Sequence, residues 1–376
     1  MHAIVVASNS RLAHIVLRSL TGIVTGVSVI GEISWWWRIA HRRKFIPLKL
    51  DDSGVSVKLL IQAVNRIAAV QAGCVVLPAD TIASGMLAAA APSLHCAIFP
   101  SPPRALLDTF NDKWLFHRLC LEHEVPTPKT VLIERKDASS SRGFMQTVQP
   151  PIVVKPTSRM AGEGVAVIAN LDEYDSQILR NDAYCYSPFI VQQFIPGRDI
   201  GISILAIRGE ILCSAVQINA GKDIRFLENK HLFAAAERLV KRTEYTGVCH
   251  FDAREQSEDG SIWIVEANPR FWGSLEAACW CGLNFTAAGL ALALKRPVNE
   301  PSSLTEGIYP GLTAALLSIL SGRLDRTERG RQQRAFLRNI LTDPPGCAIR
   351  LQDAIRRFGM RLLSLIRRAG TKVALR

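Results

Sequence analysis

Tyr245-Thr-Gly-Val-Cys-His-Phe-Asp-Ala-Arg254 and Ser261-Ile-Trp-Ile-Val-Glu-Ala-Asn-Pro-Arg270 are two β-type runs joined by a polar turn at Asp259-Gly260, the pattern of a hairpin. Pairing brings Asp252 on the first strand beside Glu266 and Asn268 on the second. Glu266 and Asn268 share a face, because residues i and i+2 of a strand lie on one side of the sheet. Two carboxylates and an amide oxygen then face one point. All-oxygen ligation of this kind suits Mg²⁺, which keeps several waters and is shared between a few carboxylates and a nucleotide's phosphates. Arg270, two residues on, adds a cation able to grip an anionic oxygen bidentately. A hairpin with solvated charges would carry the same letters, so the segments upstream decide between the two.

Pro151-Ile-Val-Val-Lys-Pro156 is an apolar strand holding Lys155, followed by Thr157-Ser-Arg-Met-Ala-Gly-Glu-Gly164 and a second apolar run at 165–169. A strand, a Gly-containing loop and a return strand make a flap whose backbone amides can cover phosphates, with the lysine as a point charge beneath. Phe189-Ile-Val-Gln-Gln-Phe-Ile-Pro-Gly-Arg-Asp199 then gives a hydrophobic strand, a polar hinge and a turn. Such a hinge can offer backbone groups to a purine edge and a carboxylate to a ribose.

These pieces, in this order and at these separations, resemble the ATP-grasp superfamily over residues 1–300. Within it the chain looks most like the bacterial carboxylate–amine ligases, whose metal strand reads Glu-x-Asn-x-Arg-Phe-Trp-Gly-Ser, as residues 266–274 do. Asn111-Asp-Lys-Trp-Leu-Phe116 followed by Val125-Pro-Thr-Pro128 is similar to the segment that opens the grasp region. The resemblance implies an α/β fold, with an N-terminal parallel α/β domain on the substrate side (1–104) and a two-lobed α+β ATP-grasp domain. The first lobe (105–187) carries Lys113 and the Lys155 flap, and the second (188–300) carries the hinge and the metal hairpin. A helical, basic extension (301–376) follows.

The implied site has Lys113 and Lys155 on the ATP phosphates, Gln192, Gln193, Phe194 and Ile195 lining the adenine, and Asp199 on the ribose. Asp252, Glu266 and Asn268 would hold Mg²⁺, or Mn²⁺ in its place. Arg270, facing the transferred phosphate or acyl phosphate, and Lys155 would be the catalytic charges. The implied activity joins a small-molecule carboxylate to an amine through an acyl phosphate, with release of ADP and phosphate. A non-ligating ATP-binding protein acting at a membrane surface or on a partner is the alternative, and the full Asp252, Glu266, Asn268 and Arg270 set argues against it. The chain departs from the family pattern at the hinge, where Gln192 and Gln193 occupy a pair that usually includes Glu, and in a flap loop that is less Gly-rich and carries Arg159 and Glu163.

With 376 residues, 48% of them apolar and 21% charged, the chain can build two or three cores and has no compositional sign of extended disorder. Met1-His-Ala-Ile-Val-Val-Ala lacks a basic n-region and reads as a first strand, not a signal peptide. The apolar stretch 12–37 is interrupted by His14, Arg18, Gly22, Gly26, Gly31 and Glu32, which disqualifies it as a membrane span. Nine cysteines without a repeated Cys-x-x-Cys spacing predict reduced thiols in a cytoplasmic protein; Cys279 and Cys281 have no second pair with which to bind a metal.

Strand-like and helix-like patterns alternate at 3–7, 11–20, 26–30, 55–69 and 74–78, predicting a small parallel α/β layer. Its first turn, Ser8-Asn-Ser10, is not a dinucleotide fingerprint. Trp35, Trp36 and Trp37 beside His41-Arg-Arg-Lys44 can stack on a ring or hold an anion; buried tryptophans beside a solvated basic turn weigh more. His250 reads either as a pocket base or as a packing or phosphate-side residue. Residues 106–123 read as one helix carrying Lys113. Residues 321–376 hold thirteen Arg and Lys372 against Asp325, Glu328, Asp343 and Asp353. Leu351, Ile355, Phe358, Leu362, Leu365 and Ile366 recur there at helical spacing. Such a basic amphipathic helix docks on its own protein or a second copy, or lies on an anionic membrane. No nucleic-acid recognition module accompanies the charge.

Overall fold

The computed structural model describes residues 1–32, 45–51, 53–136, 143–159 and 162–311, with 314, 315, 317, 330, 333, 334, 337 and 338 beyond them. The tryptophan triplet, its basic neighbours 41–44 and the stripe 351–366 lie outside the described residues.

Strands β1 (His2–Ala7), β2 (Gly26–Gly31), β3 (Phe45–Pro47), β4 (Cys74–Pro78) and β5 (Ala97–Ile98) form a parallel sheet in the order β3-β2-β1-β4-β5. β1 is apolar without alternation because both faces are covered, as parallel sheets require. Ala3, Val5 and Ala7 join the core shared with helix Ser10–Ser19, while Ile4 and Val6 join the core shared with helices Gly54–Val70 and Thr81–Ala90. The alternation expected from sequence is therefore present, with β3 and β5 added at the edges, where runs of two or three residues carry no periodic signal.

Strands β6 (Thr130–Ile133), β7 (Ile152–Pro156), β8 (Ala166–Ile168) and β9 (Phe189–Gln193) form an antiparallel sheet in the order β6-β9-β7-β8. Ile152, Val154, Phe189 and Val191 pack with Phe144 and Tyr174 on one face. Lys155, opposite Ile190, and Gln192, opposite Val153, point to the other.

The third sheet comprises β10 (Gly197–Ile207), β11 (Glu210–Ala220), β12 (Asp223–Leu227), β13 (Gly247–Gln256), β14 (Ile262–Asn268), β15 (Ser303–Leu304) and β16 (Gly307–Tyr309). Its order is β14-β13-β10-β11-β12-β16, with β15 parallel against β11.

Three local assignments differ from the sequence reading. Residues 106–123 form two helices, Arg104–Asn111 and Lys113–Glu122, separated at Asp112, whose extended backbone (φ −86, ψ 120) lets its carboxylate accept from the amides of Trp114 and Leu115. Such a cap begins a new helix and sets Lys113 at its first position. By sheet membership the hinge strand β9 goes with the flap lobe, whereas the resemblance implies that 188 opens the second lobe; Phe189 and Val191 lie in the flap's core. The segment after 301, expected to be helical, begins with β15 and β16, whose Leu304 and Tyr309 bury against the large core.

Candidate active site

The hairpin pairs Asp252 with Glu266 and His250 with Asn268. After Asp252 the register shifts: Ala253 faces Ile264, and Val265 is left as the extra residue of a β-bulge. This bulge orients the site. Ile262, Ile264 and Ala267 all lie in the core beneath the sheet, so the facing of β14 inverts across Val265. Unbroken alternation from Ile264 would send Glu266 and Asn268 into that core. β13 keeps its phase, with Cys249, Phe251 and Ala253 in the core and His250, Asp252 and Arg254 opposite.

Lys113 and Lys155 converge on the hairpin from two other elements. Glu266 Oε2 lies 3.6 Å from Lys113 Nζ and 3.9 Å from Lys155 Nζ. Lys155 Nζ donates to the carbonyl of the bulge residue Val265 at 3.4 Å, and Lys113 Nζ donates to the carbonyl of Arg159 in the flap at 2.8 Å. Burial holds the Lys155 ammonium below the usual lysine range, with Lys113 reinforcing the effect and Glu266 and Asp252 opposing it. Burial alone would raise the Asp252 carboxyl; His250 and Lys155 outweigh it and keep it below the ordinary carboxylate value.

Asn268 links acid to base. Its Nδ2 donates to Asp252 Oδ2 at 2.8 Å, while its Oδ1 accepts from Arg270 Nη2 at 2.8 Å. Arg270 Nη1 donates to the Phe271 carbonyl at 2.9 Å, and its Nε has no hydrogen-bond partner among the described residues. The cluster thus unites Lys113, Lys155, Asp252, Glu266, Asn268 and Arg270. Among the described residues no group of three His, Cys, Asp or Glu side chains could hold a metal ion. A cation here would draw on Asp252, Glu266 and the Asn268 amide oxygen, with water and ligand oxygens completing its shell, a donor set that fits Mg²⁺.

The flap returns through Gly164 at φ +71, where a Cβ would stand 2.7 Å from Pro156 Cγ and 2.7 Å from Tyr186 Cε2; glycine alone meets both demands. Along the hinge, buried Gln192 donates from Nε2 to Thr130 Oγ1 at 3.0 Å, keeping its amide oxygen. Gln193 and Phe194 are tied by their amides to the carbonyls of Lys129 (2.8 Å) and Pro151 (3.3 Å).

Arg254, which the sequence reading did not single out, organises the rest of the hinge. It donates to the carbonyls of Ile195 (3.1 Å) and Gly197 (2.6 Å) and to Asp199 Oδ1 (2.6 Å), and lies 5.7 Å from the centre of the Phe194 ring. Asp199 is 75% exposed at its side chain and held by this ion pair. The signal in the sequence was the two-residue offset from Asp252, which puts Arg254 on the same face of β13. The partner became visible only with the register Asp199 to Arg254.

A family model described as "ATP-grasp in the biosynthetic pathway with Ter operon" matches residues 186–309. The chain is 22% identical over 200 residues to a D-aspartate ligase of Enterococcus faecium (strain Aus0004); the match covers 46% of this chain and 47% of that protein, about half its length. A carboxyaminoimidazole ribonucleotide synthase from Aspergillus clavatus, solved with ATP, superposes with a TM-score of 0.66 at 14% identity, covering 81% of this chain and 80% of that one. An L-amino acid ligase from Bacillus licheniformis gives a TM-score of 0.57 at 17% identity, covering 78% and 74%. At these identities the structural likeness is one of fold.

Proposed function

We propose that this chain of ATP-grasp fold is an ATP- and Mg²⁺-dependent ligase that joins a small-molecule carboxylate to an amine through an acyl phosphate. The observation that carries the reading is the convergence of two lysines and an arginine on Asp252, Glu266 and Asn268. The carboxylate oxygen attacks the γ-phosphorus as its bond to the ADP oxygen breaks. The amine then attacks the acyl carbon, phosphate departs and the amine loses a proton. Lys113 and Lys155 hold phosphate oxygens, and Arg270 holds the phosphoryl group as it moves, by positioning and electrostatics. Asp252, Glu266 and Asn268 would hold the metal, which would supply charge that neutralises the phosphates. Gln192, Gln193, Phe194 and Ile195 line the adenine, with Asp199 at the ribose and Arg254 fixing the segment. The parallel sheet forms the substrate side, and the flap and hairpin lobes close on the nucleotide to exclude water.

The eight described cysteines are free thiols, which supports a reducing, cytoplasmic setting. No helix of the described residues is long and apolar enough to cross a membrane. Hydroxylamine tests the chemistry: with ATP, Mg²⁺ and the correct acid it should trap a hydroxamate, with ADP and phosphate released. AMP and pyrophosphate would refute the mechanism, and ADP release that ignores every carboxylate would favour a non-ligating nucleotide binder. The amino acids in the names of two matched ligases make amino acids the first acids and amines to screen.

A further inference from the structure

His250 sits beside the acidic cluster without belonging to the set above. It is buried, and both ring nitrogens face partners: Nδ1 lies 2.9 Å from Ser203 Oγ, and Nε2 lies 3.3 Å from Asp252 Oδ1. A carboxylate only accepts, so Nε2 carries a proton and donates to Asp252, while Nδ1 shares a hydrogen bond with the Ser203 hydroxyl. The Trp272 ring stacks on the imidazole, 5.7 Å between centroids and 22° between planes. On the neighbouring strand β10, Ser203 stands opposite His250 and Gly201 opposite Asp252. A Cβ at Gly201 would lie 2.8 Å from His250 Cε1 and 2.9 Å from Nε2. One residue of β10 thus anchors the ring, and the residue two before it makes room.

We infer that His250 is a positioning residue that, held by Ser203, Gly201 and Trp272, aims the Asp252 carboxylate at the proposed metal; the inference rests on the proposed function. Asp252 takes one fixed donor on each oxygen, His250 Nε2 on Oδ1 and Asn268 Nδ2 on Oδ2. Each oxygen keeps a further lone pair, so the two donors orient the carboxylate without occupying it. A partner of this kind usually accounts for a factor of about 10–100 in metal affinity.

The test uses the full chain with Mn²⁺ as probe, titrated in the presence of ADP and followed by electron paramagnetic resonance, with ADP affinity measured separately without metal. His250→Phe should weaken Mn²⁺ about 10–100-fold and leave metal-free ADP binding unchanged. His250→Gln, which keeps an amide donor, should recover part of the loss. Ser203→Ala, a small excision that reads the same chain of contacts if the Phe variant fails to fold, should weaken Mn²⁺ a few-fold. Wild-type Mn²⁺ affinity in folded His250→Phe or in Ser203→Ala, while Asp252→Asn loses the ion, would overturn the positioning role. Unchanged Mn²⁺ affinity in Asp252→Asn would overturn the metal reading beneath it.

Discussion

Replacing Lys155 by Met should move two observables independently. The ammonium is buried and 3.9 Å from Glu266 Oε2. At an effective dielectric of about 20 such a pair is worth about 4 kcal/mol before the cost of desolvating the ammonium. That cost is of similar size for a buried ion, and exchange for an apolar side chain of like volume is often neutral. Glu266 would not be stranded, since Lys113 remains 3.6 Å away and the Glu266 side chain is 27% exposed. Calorimetric melting of the ligand-free protein should therefore change by no more than about 3 °C. ATP affinity has no such compensation: a charged donor to phosphate contributes about 1.5–3 kcal/mol, so titration calorimetry should show binding about 10–150-fold weaker. A folded variant with wild-type affinity would refute the argument. A large fall in melting temperature at unchanged affinity would assign Lys155 to structure as the counter-ion of Glu266.

Glu266→Gln and Asn268→Ala should each lower turnover at least about tenfold and raise the Mg²⁺ needed for half-maximal rate, since charge stabilisation counts most in the transition state; wild-type turnover in either would mean the hairpin is not the metal site. His117, buried with Lys155 nearby, is held down to about 4, so between pH 6.5 and 4 the unfolded chain binds the extra proton and stability falls as pH falls. The loss is at most about 3 kcal/mol at about 1.4 kcal/mol per unit, and urea unfolding at pH 7 and 5 should show a shallower decline in His117→Gln than in wild type. Deleting residues 347–376 should lower the melting temperature or dissociate an oligomer, as expected if the apolar stripe docks on protein; loss of binding to anionic vesicles at unchanged stability would assign the stripe to a membrane surface.

The parts of the fold that could be read from sequence are those where one local pattern leaves one solution. β1 is apolar on both faces, which only a covered parallel strand explains, and Glu266-x-Asn268-x-Arg270 concentrates its chemistry in five residues. The break at Asp112 is masked in the sequence because apolar periodicity runs on either side of it without Gly or Pro, although an Asp ahead of Trp114 and Leu115 is a cap signal. The ties of Arg254 to Asp199 and of His250 to Ser203 depend on the pairing of β13 with β10, strands separated by the whole of β11, β12 and a helix. Nothing in Ile262-x-Ile264-x-Glu266-x-Asn268 announces a bulge. The letters alternate regularly, and only the requirement to bury Ala267 with Ile264 while exposing Glu266 forces the slip.

That slip leaves Val265 uncounted. Its side chain takes no part in the charged cluster, and the alternation passes over it, so that Glu266 faces as though it followed Ile264 directly. Deleting this one residue would leave every acid, amide and cation in the chain and would also keep their facing, because Glu266 would then follow Ile264 directly and plain alternation would set Glu266 and Asn268 opposite Ile264 and Ala267. What such a deletion would remove is the carbonyl that accepts from Lys155 Nζ, a loss that a tally of ligand identities across related sequences would not register.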